Sequence, residues 1–433
     1  MIFNLLNEAR NSMIEKKTDV CIVGGGTAGI YLSQALQKKN ISVILVELGG
    51  NSAVKAETVF DQPKFTATEY RGALQGRAAG LGGTSSKWGG QMISLSASDF
   101  LRKDKLKDSI AWPLRKVDLQ FYYDKVLATL NMSKSNSYSY SESKTSKLIS
   151  RSALHGFFKL RTSSWISFRK RNFAKCFRNI MAKSVNLEVW INAKFVSMDD
   201  SVWSGSSLKK LRFRGAENQS LLVSSKLFVF TMGALESTKH VLPLVHNGTC
   251  RSMPFCDHLS TSVGRLKIKN KTLFLNYFSP FFINGIMRSM RFELTSSTQK
   301  NFKTASAFVH FVTVHKESSA LGILRNLARK FQGEKVGIDF KNINIINILK
   351  DIVLIIYWRV IKSKLILNHG DDIDIVIDIE QRPNNINRIS KSSDGLMLHW
   401  SVSKDDKDLV MNTAKAFMKG WSSTTELSEL ADI

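Results

Sequence analysis

The stretch DVCIVGGGTAG, Asp19 to Gly29, constrains the fold of this chain more than any other. A short apolar run, Asp19–Val23, meets three consecutive glycines, Gly24, Gly25 and Gly26. A helical pattern follows from Ala28 to Lys38, with Ala28, Tyr31, Leu32, Ala35 and Leu36 on one face. Ile41–Val46 (ISVILV) reads as a second strand, fully buried and therefore parallel to the first. The three pieces predict a β-α-β unit. The loop satisfies G-x-G-x-x-G, with Gly24 for the tight turn, Gly26 for close approach to a pyrophosphate and Gly29 for helix–strand packing. Thr27 and Ala28 open the helix, whose free amides and partial positive charge suit phosphate. Glu47 ends the second strand, where its carboxylate would accept a ribose diol and repel a 2′-phosphate. The alternative reading of the same residues is a glycine-rich turn with no ligand.

A second glycine block, GLGGTSSKWGGQ, runs from Gly80 to Gln91 and cannot bury an apolar face at helix or strand spacing. The first fingerprint does not separate FAD from NAD. A nicotinamide enzyme needs one such loop, whereas enclosing a whole FAD needs further donors around the second phosphate and the isoalloxazine ring. Gly82, Gly83, Gly89 and Gly90 would allow close approach, Thr84 and Ser85 would supply hydroxyls, and Trp88 an apolar wall. A structural loop remains the other reading.

At 433 residues the chain is long enough for two domains. Its net charge of +26 points to an anionic partner, or to a solvated lysine-rich surface. Four cysteines, Cys21, Cys176, Cys250 and Cys256, are scattered without metal-ligand spacing, so reduced thiols, no metal site and a cytoplasmic setting are expected. The apolar start is too short for a signal peptide, and no run approaches the ~20 apolar residues of a membrane span. Ser133–Ser146 is serine-rich and reads as a loop. Leu227–Thr231 is another buried-strand run, ending in Met232-Gly233-Ala234. After residue 265 alternating segments such as Ala307–Val312 and Ile373–Ile379 predict an antiparallel sheet in a second domain. Leu321–Phe331 and Asn347–Ile361 are basic and amphipathic, and residues 144–186 carry bases but no acid. These suggest peripheral contact with anionic lipid; the alternative is an amphipathic helix buried against its own domain. No nucleic-acid-binding module is present, and nucleic acid is not an expected partner.

Several segments together resemble the glucose-methanol-choline family of FAD-dependent oxidoreductases. DVCIVGGGTAGIYLSQAL and VELGG are similar to its N-terminal fingerprint, and GLGGTSSKWGGQ to its second glycine block. Asp99-Phe100, AWPLRKVDLQFYYDKV, NLEVWINAKFVSM, LFVFTMGALESTKHVL, FCDHLS, EQRPNNINRIS and LHWSVSKDD follow in family order, from residue 18 to about 410. The resemblance implies an α/β, FAD-binding Rossmann-like domain assembled from discontinuous segments, with an inserted α+β substrate domain built on an antiparallel sheet. On this reading residues 18–100 and 184–264 form the FAD domain and 101–183 a connecting region. Residues 265–393 form the substrate domain and 394–433 the start of the C-terminal part. It places Phe195 near the adenine and Gly233 on the far FAD strand. It implies hydride transfer from an alcohol, sugar or polyol CH–OH to flavin N5. Residues 80–92 hold no histidine or cysteine for a covalent link to the flavin, so noncovalent FAD is expected.

The family's catalytic histidine belongs to an H-x-x-G-T block near the C-terminus, and none of the eight histidines lies in that context. Loss of such a base commonly costs ~10²–10⁴ in rate. The expectation is therefore a truncated member, with no catalytic residue assigned. It would be a catalytically impaired flavin-binding remnant, a fragment, or a subunit whose missing segment comes from a separate chain. His258 and His399 are the candidate substitutes, although a lone histidine is more often structural.

Overall fold

The computed structural model describes residues 1–55, 60, 62–100, 112–132, 149, 152–198, 208–244, 250–313, 320–331, 345–365, 372–392, 395–422 and 428–432. The expected serine-rich loop at Ser133–Ser146 lies outside them. The chain forms two compact units. The first comprises Met1–Gly90, Phe168–Phe255 and Asn384–Ser401; the second comprises Gln91–Ser167, Cys256–Pro383 and Val402–Ile433. In chain order the principal elements begin with β1 (Ile2–Asn4), β2 (Met13–Val23), α1 (Thr27–Gln37), β3 (Val43–Val46), β4 (Gln91–Met92), α2 (Lys116–Thr129) and β5 (Phe158–Trp165). They continue with β6 (Leu187–Ile191), β7 (Lys194–Met198), β8 (Lys210–Arg214), β9 (Ser220–Phe230), α3 (Ala234–Val241), β10 (His258–Ile268) and β11 (Ile286–Leu294). The last are β12 (Ala307–Thr313), α4 (Ala320–Phe331), α5 (Ile345–Val360), β13 (Asp372–Glu380), α6 (Lys404–Trp421) and β14 (Ser428–Asp432).

The first unit is built on a seven-stranded sheet of order β1-β6-β3-β2-β9-β8-β7. The pairs from β1 to β9 are parallel, and β9-β8 and β8-β7 are antiparallel. Strand β2 is longer than its apolar run predicts. Its first half, Met13–Thr18, is ladder-bonded to β9 and alternates outward and inward. Its second half, Val20–Val23, is flanked by both β3 and β9 and is buried throughout. Polar residues therefore hid a half-strand that lies beside core residues Leu221 and Val223, with Ile14 packed on the core and Lys16 reaching Glu188 at 3.2 Å. The core gathers Leu5, Cys21, Val23, Ile44, Val46, Trp190 and Phe213. Burial pushes the Cys21 thiol well above its ordinary value, so it serves as a small apolar side chain. A four-stranded sheet adds Ser252–Pro254, Arg388–Ser392, Gly395–His399 and Lys64–Phe65, in that order.

The second unit is built on an antiparallel sheet of order β14-β10-β13-β12-β11-β5-β4, with Phe281–Ile283 added beside β11. The alternation IDIVIDI does what its period dictates. Ile373, Ile375, Ile377 and Ile379 are buried on one face, under Phe292 and the α6 residues Phe417 and Trp421. Asp374 and Asp378 fall on the other face. Helix α6 starts on a capping box: the Ser403 hydroxyl accepts the Asp406 amide, and Asp406 accepts the Ser403 amide.

Candidate functional site

Glycines at the end of β2 do three different things. Gly24 has φ +109°, and a side chain there would lie 2.7 Å from the Thr231 carbonyl. A Cβ on Gly29 would lie 2.0 Å from the Gly24 oxygen. Turn geometry and packing therefore account for both. Gly26 has an ordinary φ of −81°, and a Cβ there would meet nothing within 4 Å. Neither conformation nor packing requires a glycine at that position. It faces open space at the N-terminus of α1, where no side chain caps the helix and Thr27 and Ala28 are exposed. Amides of a first turn have no partner within their own helix, so this end is suited to an anion.

Glu47 is buried, and both of its oxygens are engaged by backbone amides. Oε2 accepts from Gly25 at 2.6 Å; Oε1 accepts from Gly49 at 2.9 Å and from Gly80 at 2.8 Å. Burial pushes its carboxyl above the ordinary value, and the three amides pull the other way. Sequence reasoning reserved Glu47 for a ribose diol and missed this task. The residue fastens the first glycine loop, the end of β3 and the second glycine block to one another.

The second block folds against the first. The Gly82 amide donates to the Gly25 oxygen at 2.8 Å, and a Cβ on Gly83 would come within 3.0 Å of Gly26 Cα. Thr84 and Gly89 are exposed, and Gly90 is buried in a left-handed turn. Ser85 is not free to serve a ligand. It is buried, its hydroxyl donates to Gly82 O at 2.5 Å, and it accepts the Phe173 amide at 3.0 Å. Trp88 is half-buried; its Nε1 donates to the Arg171 carbonyl at 2.9 Å and its ring meets Phe173 edge-on.

Phe195 lies in an aromatic group with Phe213, Phe230 and the imidazole of His240, whose centre is 4.7 Å away. Burial, together with the charges of Lys239, Lys391 and Lys194, lowers His240 to about 4, so it is neutral at pH 7. Gly233 is exposed at φ +81° and precedes α3, a second helix start without a side-chain cap. Two supports escaped sequence reasoning. The Thr231 hydroxyl lies 2.8 Å from the Gly24 oxygen, and Arg77 pairs with Glu236 of α3 at 3.1 Å. No spacing signal links residues so far apart.

The second unit carries a polar group of its own on the sheet face opposite its core. Gln91 Nε2 donates to Ser163 and Ser289, and Trp165 Nε1 donates to Ser289 at 3.0 Å. Arg291 bonds to Asp378 and to the Gln91 oxygen, and His310 Nε2 lies 3.1 Å from Asp378. Burial opposes ionisation of Asp378, but hydrogen bonds from His310 and Ser260 and the Arg291 charge hold it well below the carboxylate range. Of the two histidines considered from sequence, exposed His258 contacts Asp257 at 3.1 Å, and that hydrogen bond raises it above its ordinary value. His399, in the first unit, contacts the Thr66 hydroxyl at 3.0 Å. Among the described residues no group of three or more metal-ligating side chains occurs.

No family model and no curated protein matches the sequence. Among solved structures the chain is similar to pyridoxine 4-oxidase from Mesorbium loti, at 13% identity and a TM-score of 0.51, over 96% of this chain and 83% of that one. That likeness shows the fold. A formate oxidase is also found, at 11% identity and a TM-score of 0.48, over 98% of this chain and 84% of that one.

Proposed function

We propose that this chain is an FAD-dependent oxidoreductase that acts on the CH–OH group of an alcohol, sugar or polyol. The observation that carries the reading is Gly26: a glycine with ordinary backbone angles and empty space at its Cβ, at the uncapped start of α1, with Gly82 and Gly83 folded against it. The pyrophosphate of a dinucleotide would occupy that space, held by first-turn amides. Glu47 and Thr231 would keep the loop in place from beneath. Thr84, Trp88, Gly89 and Gly90 would border the rest of the group. The likeness in fold to pyridoxine 4-oxidase supports the reading, as do the ordered family-like segments. FAD, held without a covalent link, would supply the hydride acceptor. The protein's share of alcohol oxidation is to orient the carbinol and to take its hydroxyl proton.

The test is an absorbance spectrum of the purified full chain, with the flavin released by acid and identified. Stoichiometric FAD that alcohols bleach supports the reading. Bound FAD that no alcohol bleaches would reduce the function to flavin binding without turnover. Folded, colourless protein that takes up no added FAD would refute the reading.

A further inference from the structure

We propose that α5 lies in the interface of an anionic lipid surface and attaches the protein to it. The sequence leaves two readings of this segment, and the fold turns its apolar side away from the protein. Ile346, Leu349, Val353, Ile356, Val360 and the following Ile361 are each more than half exposed. Ile352, Leu354 and Tyr357 widen the same arc. The inward side holds Trp358, buried against Leu275, and Asp351, whose Oδ2 accepts the Ala320 amide at 3.2 Å. A helix of a water-soluble domain puts its apolar stripe inward; this one is inverted.

The orientation is held by the fold. Just beyond the helix, the Phe282 amide donates to Ser363 O at 2.7 Å and the Leu365 amide to Pro280 O at 2.8 Å. The Arg359 guanidinium lies over the Phe282 ring, 3.6 Å from its centre. Rotating α5 to hide its apolar side would break these contacts.

Three observations select lipid as the occupant. The outward arc is far wider than the two-position seam of a helix pair, since Ile352, Leu354 and Tyr357 flank it. Its charges are Lys350 and, just beyond the helix, Lys362, both exposed, whereas Arg359 and the helix's acid, Asp351, make their contacts on the protein side. A second copy of a chain with net charge +26 would bring like charges together, whereas an anionic surface complements them. The 16 residues of α5 reach ~24 Å, short of the ~30 Å hydrocarbon core, and no described helix is long and apolar enough to cross a membrane. The helix therefore lies along the interface, with its apolar arc in the acyl boundary and its bases at the headgroups.

The experiment is cosedimentation of the full chain with vesicles of phosphatidylcholine alone or mixed with phosphatidylglycerol. Mixed vesicles should bind it several-fold more tightly, and raising salt to about 1 M should weaken that binding. The double variant Val353→Asp/Ile356→Asp, at exposed positions, should keep the wild-type melting curve and lose ~10-fold or more in binding. Wild-type binding by that variant would overturn the proposal, because attachment would then rest on charge alone. So would an absence of vesicle binding together with concentration-dependent dimers, in sedimentation velocity, that the same variant abolishes.

Discussion

Glu47 accepts the Gly25 amide at 2.6 Å, from directly beneath the turn that opens α1. The same carboxylate holds Gly49 and Gly80, so one buried side chain sets the spacing between the first glycine loop and a second block that begins 33 residues beyond Glu47 itself. An amide in its place would turn an NH₂ toward at least one backbone N–H. Glu47→Gln should therefore cost ~2–3 kcal/mol in denaturant unfolding and lower FAD retention with it. Full stability in the variant would mean that the three amides find other acceptors.

Gly26 and Gly29 make opposite predictions. Gly26→Ala places a methyl group in open space, so stability should change by no more than about 1 kcal/mol while retained FAD falls ~10-fold or more. Gly29→Ala drives its Cβ into the Gly24 oxygen and should cost about 3 kcal/mol or more. Thermal melts and flavin-to-protein ratios separate the two. Equal flavin content in Gly26→Ala and wild type would refute the proposed phosphate position.

His240 supplies an acid-sensitive contact. Its folded value of about 4 lies below the ordinary 6.5. The unfolded chain therefore binds the proton first, and stability falls as pH drops from about 6.5 towards 4. Partial exposure screens the neighbouring lysines, so the loss should be about 1–2 kcal/mol. His240→Phe keeps a ring against Phe195 and should flatten this part of the stability–pH curve.

Asp378 neutralises Arg291 on the polar face of the second unit, and both side chains are four-fifths or more buried. Asp378→Asn should cost ~2–4 kcal/mol, by leaving the guanidinium without its carboxylate. In the wild type this contribution is present above the ordinary carboxylate value and is lost as pH falls below it. Urea titrations at pH 7 and at pH 3 should show the variant's deficit shrinking at the lower pH.

Local pattern determined the elements of this protein that repeat at short range. The run DVCIV, its glycines and the presence of a helix after them read correctly because the turn is written in adjacent residues, but the helix face did not: Gly29, Ile30, Ser33 and Gln34 are buried, while Ala28 is exposed and Tyr31, Leu32, Ala35 and Leu36 are half-buried. The alternation of residues 373–379 likewise declared one buried and one polar sheet face. Tertiary structure decided which groups those elements bring together. Glu47 meets amides at positions 25, 49 and 80, and the Ser85 hydroxyl is taken by Gly82 and by Phe173, 88 residues away. A hydrogen-bonding side chain carries no mark of its partner when that partner is a backbone amide, which every residue but proline offers. The direction faced by α5 was undecided for the same kind of reason. An apolar stripe states that a helix has a face to bury, and only the contacts of Trp358, Asp351 and Arg359 show that the buried side is the other one.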